Sequence, residues 1–333
     1  MRKQLTMLGV TAIATVAVAG CGSSSHHSTT RKPAPTSAST TAATGGTTSG
    51  TSTSATASSR MVLPVQAFRV NHQAFAFVKL TIKGRPYFFL VDTGASKSLV
   101  YPIVVKTLGL PDSGPATSAA SLCTLSLQPV TISDWKLGNT ALPTTVISTK
   151  STFSGVKIKG IPIAGSLGAD VLSRFGTVTI DLAGKRLILG GKPPTGGKTL
   201  PVKVGHAPDG EVALVLRATI GGKPVGYQID TGAGRTTIDT GAAKRLGLPV
   251  AGKSVKSHTS ICSAVTFTPV RLDSWTAGGV KLPKTVVVSS HSSITAKSKG
   301  KVVGLLALDI LSTFGDVTFD FTGQRMVLGG TVG

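Results

Sequence analysis

Val91-Asp92-Thr93-Gly94-Ala95 and Ile229-Asp230-Thr231-Gly232-Ala233 are nearly the same phrase met twice, 138 residues apart, each closing an apolar run. A single Asp-Thr-Gly in a chain rich in Thr and Gly can be a plain turn, with the aspartate capping and the glycine at positive φ. Two at equivalent places need another account, because the surrounding sequence repeats with them. Thr81-Ile82-Lys83-Gly84-Arg85-Pro86 returns as Thr219-Ile220-Gly221-Gly222-Lys223-Pro224 at the same offset. So does Lys106-Thr107-Leu108-Gly109-Leu110-Pro111, as Lys244-Arg245-Leu246-Gly247-Leu248-Pro249. Further on the offset drifts: Cys123 matches Cys262, Trp135 matches Trp275, and Leu172-Ser173-Arg174-Phe175-Gly176 matches Leu311-Ser312-Thr313-Phe314-Gly315.

The register holds from about residue 75 to the C-terminus. Two copies are too few for a solenoid; the expected arrangement is two lobes about a pseudo-twofold axis, an isologous dimer fused into one chain. The seam falls near 192–199, giving lobes over 61–195 and 196–333. Each copy reads as mainly β with short helices. Residues 75–82 alternate, Gly84 turns the chain, and 87–91 is an apolar run ending at the aspartate. A short helix fits 102–108, closed by Gly109 and stopped by Pro111. Another fits 168–175 and 307–314, and each copy ends in a hairpin, 178–181 and 186–189 in the first. The fold class is therefore all-β, in two related lobes.

Two Asp-Thr-Gly triplets, each ending an apolar strand and each followed by alanine, resemble the active-site motif of the aspartic peptidases, and of the retropepsins in particular. Each copy also carries two apolar residues and a glycine, Ile163-Ala164-Gly165 and Val302-Val303-Gly304, which in that family cross behind the active-site loop. The resemblance covers nearly all of the chain after residue 60. It implies that Asp92 and Asp230 form a catalytic dyad. It implies too that Thr93 and Thr231 bond across the pseudo-twofold, while Gly94 and Gly232 let backbone pass close to the carboxylates. Two carboxyls about 3 Å apart cannot both ionise, so one keeps its proton and the pair supplies an acid and a base. No metal, cofactor or covalent intermediate is needed. The chain departs from the family at Ser96 and Gly234, where retroviral enzymes often use an acidic residue, and it shows no pepsin-like flap tyrosine. A peptidase-like binding module without turnover is the alternative to an endopeptidase; a charged structural wall protein is a weaker third. Asp170 and Asp309 suit structural hydrogen bonds, Asp181 and Asp320 turns, and Trp135 and Trp275 the lobe cores. His72, His206, His258 and His291 are not spaced as metal ligands, and no histidine is placed to activate a Ser or Cys nucleophile; the adjacent His26 and His27 read as solvated tether residues rather than a metal site.

Cys123 and Cys262 occupy equivalent places after the first helix of each copy. In retropepsins that segment forms a flap, and the two flap tips meet over the cleft, so the resemblance implies a Cys123–Cys262 disulfide. Two buried free thiols remain open as the other reading.

The third cysteine, Cys21, closes Val18-Ala19-Gly20-Cys21 after a charged start and an apolar stretch. This resembles the lipobox of bacterial lipoproteins and implies a signal over 1–21 with lipid on Cys21. Residues 22–60 are mostly Ser, Thr, Ala and Gly and lack the apolar residues to bury a core; they read as a flexible tether. The expected location is outside the cytoplasmic membrane, anchored by that lipid. The chain has 35 Lys+Arg against 13 Asp+Glu, a formal +22. Such a charge suits anionic envelope polymers and lipid headgroups. The scattered basic residues and scarce aromatics argue against nucleic acid. The remaining partner is a peptide or protein substrate, met by a monomer.

Overall fold

A computed structural model describes residues 60–70, 72–148, 155–259, 262 and 265–330. The expected signal, the expected lipid attachment at Cys21 and the expected tether up to residue 59 lie outside the described residues.

Six antiparallel strands form a floor shared by both lobes. Their order is residues 61–64, Arg186–Leu189, Thr177–Asp181, Val317–Asp320, Arg325–Leu328 and residues 198–201. The central pair is rich in β-branched residues and wholly buried, as suits strands covered on both sides. Its register places Thr179 opposite Thr318, the matching residue of the other copy, and their hydroxyls bond at 2.7 Å. The pseudo-twofold axis therefore passes through this pair.

Each outer floor strand bends upward and continues into its own lobe. Residues 65–70 pair with Gln73–Ile82, which pairs with Arg85–Val91; residues 202–206 pair with Val212–Ile220, which pairs with Lys223–Ile229. The tight turns between the last two strands of each set take positive φ at both central residues, Lys83 and Gly84 in one lobe and Gly221 and Gly222 in the other. That is the turn whose twist matches a right-twisted hairpin. Residues 78–82 alternate as the sequence suggests, but 75–77 are buried on both faces. One face, Ala74, Ala76 and Val78, joins the main core, while Phe75 and Phe77 join a second apolar cluster with Phe88, Tyr101 and Ile163. The counterpart Val212–Ile220 has no such second cluster and does alternate.

The apolar-apolar-glycine segments lie in Ile161–Leu167 and Val302–Leu306. Each runs parallel to the strand that ends in an aspartate. Their glycines are required by contact: a Cβ on Gly165 would sit 1.8 Å from the Leu99 carbonyl oxygen, and one on Gly304 2.1 Å from that of Thr237.

Pro102–Leu108 is helical and closes on Gly109 in the left-handed conformation. The later helices are shorter than expected, Ala169–Leu172 and Leu308–Leu311, each followed by a 3-10 turn. Trp135 and Trp275 are core residues, packed on Phe89 and Tyr227 at 6.0 and 5.8 Å between ring centres. Their indole N–H groups donate to the carbonyls of Pro143 and Pro283, so neither polar tip is left orphaned. Among the described residues no helix is long and apolar enough to cross a membrane.

Each lobe also sends a hairpin toward the other. In the first, Thr117–Ala120 pairs with Thr124–Thr131; in the second, Val255–Ser257 pairs with Val265–Leu272. Their tips carry Cys123 and Cys262, which are bonded to each other with Cα atoms 5.9 Å apart. Ser121 in the first tip is held by the second lobe as well. Its N–H donates to Ser293 Oγ at 2.9 Å, and the Ser293 N–H donates to its carbonyl at 3.0 Å. Ser293 opens a short helix, Ser293–Lys297, that the sequence pattern did not suggest.

Candidate active site

The strands Arg85–Val91 and Lys223–Ile229 deliver Asp92 and Asp230 to the pseudo-twofold axis. The crossing strands hold both backbones: Asp92 N–H donates to Leu167 O at 3.0 Å and Asp230 N–H to Leu306 O at 2.9 Å. Thr93 and Thr231 then lock the two loops to each other. Each threonine N–H donates to the other's hydroxyl, at 3.0 and 3.1 Å, and each hydroxyl donates to a carbonyl of the opposite strand, Ile229 O at 3.1 Å and Val91 O at 2.8 Å. Four reciprocal bonds between wholly buried groups leave little freedom in the loops' relative position.

Gly94 and Gly232 admit the opposite aspartate. A Cβ on Gly94 would fall 2.1 Å from Asp230 Cγ, and one on Gly232 2.2 Å from Asp92 Cγ. Any side chain here would drive the carboxyls apart. The inner oxygens are held by backbone: Gly94 and Ala95 N–H groups donate to Asp92 Oδ1 at 3.1 and 3.0 Å, and Ala233 N–H donates to Asp230 Oδ1 at 2.7 Å. The outer oxygens, both Oδ2, are buried and take no donor from the described residues. The carboxyls are close enough to share a proton.

Electrostatics follow from this burial. Asp92 is 1% exposed and Asp230 0%. Loss of water pushes the Asp92 carboxyl up to about 6, against the pull of the Ala95 N–H and the Ser166 hydroxyl. Burial, then repulsion from Asp92, holds Asp230 well above the carboxylate range. The arrangement favours one proton held by the pair over two carboxylates side by side.

The joined hairpins cover this pair. Ala95, which donates to Asp92, and Leu99 belong to one buried apolar cluster with Leu122, Leu125, Cys262 and Phe267. Three matched pairs thus lie along the axis: Thr179 and Thr318 in the floor, the two Asp-Thr-Gly loops above it, and Cys123 with Cys262 at the top.

The other repeated aspartates brace the site. Ser98 Oγ donates to Asp170 Oδ1 at 2.8 Å and accepts from Gly168 N–H at 2.9 Å. Thr236 plays the same part with Asp309 and Ala307. Asp181 and Asp320 accept from turn N–H groups and pair with Arg186 and Arg325. Among the described residues no group of three or more His, Cys, Asp or Glu could hold a metal.

Two residues near the dyad escaped the sequence reading. The buried Ser166 hydroxyl bonds Asp92, and Gln228 Nε2 donates to the Gly94 carbonyl at 3.0 Å. Their counterparts in the other copy are Leu305 and Leu90, so comparing the copies conceals them. A polar residue within a buried apolar strand was the available signal.

A bilobal β fold with two carboxyls on its axis, held by paired Asp-Thr-Gly loops, defines the aspartic-peptidase class of protein. Two stretches, residues 78–171 and 216–310, match the family model described as aspartyl protease, and together they make up more than half of the chain. The chain belongs to the aspartyl protease family. Among solved structures it is similar to an aspartic proteinase from Irpex lacteus, with 13% identity, 82% of this chain and 98% of that one covered, and a TM-score of 0.47. It is also similar to a protein described as edgp, at 12% identity, 82% and 95% coverage and a TM-score of 0.41. No curated protein matches it in sequence.

Proposed function

We propose that this protein is an aspartic endopeptidase that hydrolyses peptide bonds with the Asp92–Asp230 dyad. The observation that carries the reading is the pair of buried carboxyls, each with one oxygen anchored by backbone and one left without a donor. The ionised carboxylate takes a proton from water as its oxygen attacks the peptide carbonyl carbon. The protonated carboxyl gives its proton to the carbonyl oxygen. The tetrahedral diol then collapses: the C–N bond breaks, the amine leaves with a proton from the dyad, and the dyad regains one from the diol. The proton belongs to the pair, because the two carboxyls titrate together.

Asp92→Asn and Asp230→Asn are each expected to lower peptide hydrolysis by a factor on the order of 10²–10⁴ or more with the fold intact. An Asp92→Asn protein that cleaves the same peptides at an undiminished rate would refute the reading. One observation favours the alternative of a binding module without turnover: both carboxyls are buried beneath tied hairpins. Absence of any cleavage across a diverse peptide library, by a folded wild-type protein that still binds peptide, would select it.

The same reading puts the protein outside the cytoplasmic membrane, held by lipid on Cys21 and acting as a monomer. Two observations support it: the Val18 to Cys21 tetrad after an apolar stretch, and a disulfide, which persists in oxidising compartments.

A further inference from the structure

Each lobe touches the other's catalytic loop with the first corner of its own meander, and the two corners differ in charge. In one, Val212 N–H of the second lobe donates to Ser96 O at 3.1 Å, and Lys97 pairs with Asp209 at 2.7 Å across the lobe boundary. In the other, Ala74 N–H of the first lobe donates to Gly234 O at 3.1 Å. Arg235 is the counterpart of Lys97, at the offset of 138. Instead of a carboxylate, this corner sets Arg69 and His72 around Arg235. These residues line a cavity of about 550 Å³, together with Gln73, Thr285 and Asp309.

The cations there are opposed at a distance by Asp309, which lines the same cavity and acts on Arg235 without pairing with it. Among the described residues neither Arg69 nor Arg235 has a carboxylate within ion-pairing distance. Arg235 Nε is buried without a partner, and its Nη2 reaches only the Val286 carbonyl, at 3.5 Å. Arg69 Nη2 donates to the Ser312 hydroxyl at 2.7 Å and to its carbonyl at 3.4 Å, which leaves the Nε and Nη1 donors for a ligand. Asp309 borders the cavity but is already committed: Oδ2 accepts from Thr236 N–H at 2.9 Å, while Oδ1 accepts from the Thr236 hydroxyl at 2.7 Å and Ile310 N–H at 2.9 Å. A guanidinium with an unsatisfied buried N–H, beside a second one, matches the planar two-oxygen fork of a carboxylate.

We propose that this corner is an anion subsite of the cleft and binds a carboxylate of the peptide substrate, from an Asp or Glu side chain or from the C-terminus. The inference rests on the peptidase reading and names its substrate class. Arg235 stands five residues after Asp230 on the same loop, so their Cα atoms are at most about 18 Å apart. The carboxylate therefore belongs within about five residues of the scissile bond of an extended substrate. Because the opposite corner satisfies its own cation with Asp209, the subsite exists on one side only. It gives direction to a substrate lying over an otherwise near-symmetric dyad.

The test is a set of fluorogenic peptides in which Glu replaces Gln at one position at a time on both sides of the cleaved bond, each with free and amidated C-termini. The expected result is a gain in kcat/KM of about tenfold or more at positions on one side only. Arg235→Gln should abolish this gain, with a thermal melt like that of the wild type showing that the variant is folded. Arg69→Gln should reduce the gain, and Lys97→Gln should not. A gain that follows the free C-terminus instead of Glu assigns the site to the terminal carboxylate. The net charge of +22 attracts any acidic peptide, so a gain equal at all positions and retained in Arg235→Gln overturns the proposal, as does no gain at all. If no peptide is cleaved, the peptidase reading fails separately. Fluorescence anisotropy of labelled Glu and Gln peptides on the wild type then decides the subsite: tighter Glu binding lost in Arg235→Gln supports it, and equal binding overturns it.

Discussion

Replacing Asp92 with Asn removes a carboxyl that the fold holds partly protonated while keeping a side chain that can accept from Gly94 and Ala95 N–H and donate to Asp230. In the unfolded chain Asp ionises near 3.9; in the native site Asp92 is raised to about 6. Between those values the native state binds more protons, so its stability falls as pH rises through this window. The wild type should therefore match Asp92→Asn in Tm near pH 4 and fall behind it by pH 7, by an amount on the order of 3 kcal/mol. A gap that does not widen with pH would show that the carboxyls are not raised. The same values shape activity. The singly protonated dyad forms as Asp92 ionises, so kcat/KM should rise along an acid limb near 6 and hold into neutrality, until Asp230 ionises. Asp92, Asp230, Thr93 and Thr231 were legible because they recur at a fixed offset. Ser166, Gln228 and Arg235 were not, because they are where the copies differ.

Strands and turns were readable element by element, since Gly, Pro and β-branched runs punctuate both copies alike. What failed was tied to packing beyond the element. Residues 73–78 are buried on both faces because an aromatic cluster covers the side the pattern leaves to water. The helix Ser293–Lys297 has no apolar period of its own and is held partly by its bonds to Ser121. The hairpins over the dyad could be inferred only through family likeness, since their meeting is a long-range event. With a sequence separation of 139, the Cys123–Cys262 bond removes chain entropy worth on the order of 5 kcal/mol from the unfolded state. Cys123→Ser with Cys262→Ser should lower Tm and let the hairpins part more readily. Association of a statine-type transition-state mimic should then quicken severalfold; an unchanged association rate would mean that the hairpins do not control access.

At the scale of the molecule, duplication was plain in the sequence but the shared floor was not. An offset shows which residues correspond, not which strands meet, and here Thr177–Asp181 meets its own counterpart. Residues 22–59 carry few apolar side chains to bury, and the proposed attachment is lipid on Cys21. Cys21→Ser should move the protein from the detergent phase to the aqueous phase on partitioning. Identical partitioning of wild type and variant would exclude lipidation. The +22 charge should add a salt-sensitive affinity for anionic surfaces that survives this substitution.

The bond at the top of the axis also changes the topology of the cleft. From Cys123 the backbone descends through the floor strand Thr177–Asp181, rises through the loop of Asp230 and returns to Cys262, where sulfur closes it into a covalent hoop. On the proposed peptidase reading, a substrate polypeptide lying between the hairpins and the dyad would pass through that hoop. Entry is then by threading from a free end, and a folded domain at each end of a chain excludes it. A head-to-tail cyclic peptide should resist hydrolysis by the oxidised protein and be cleaved once both cysteines are serine, while its linear form is cleaved by either.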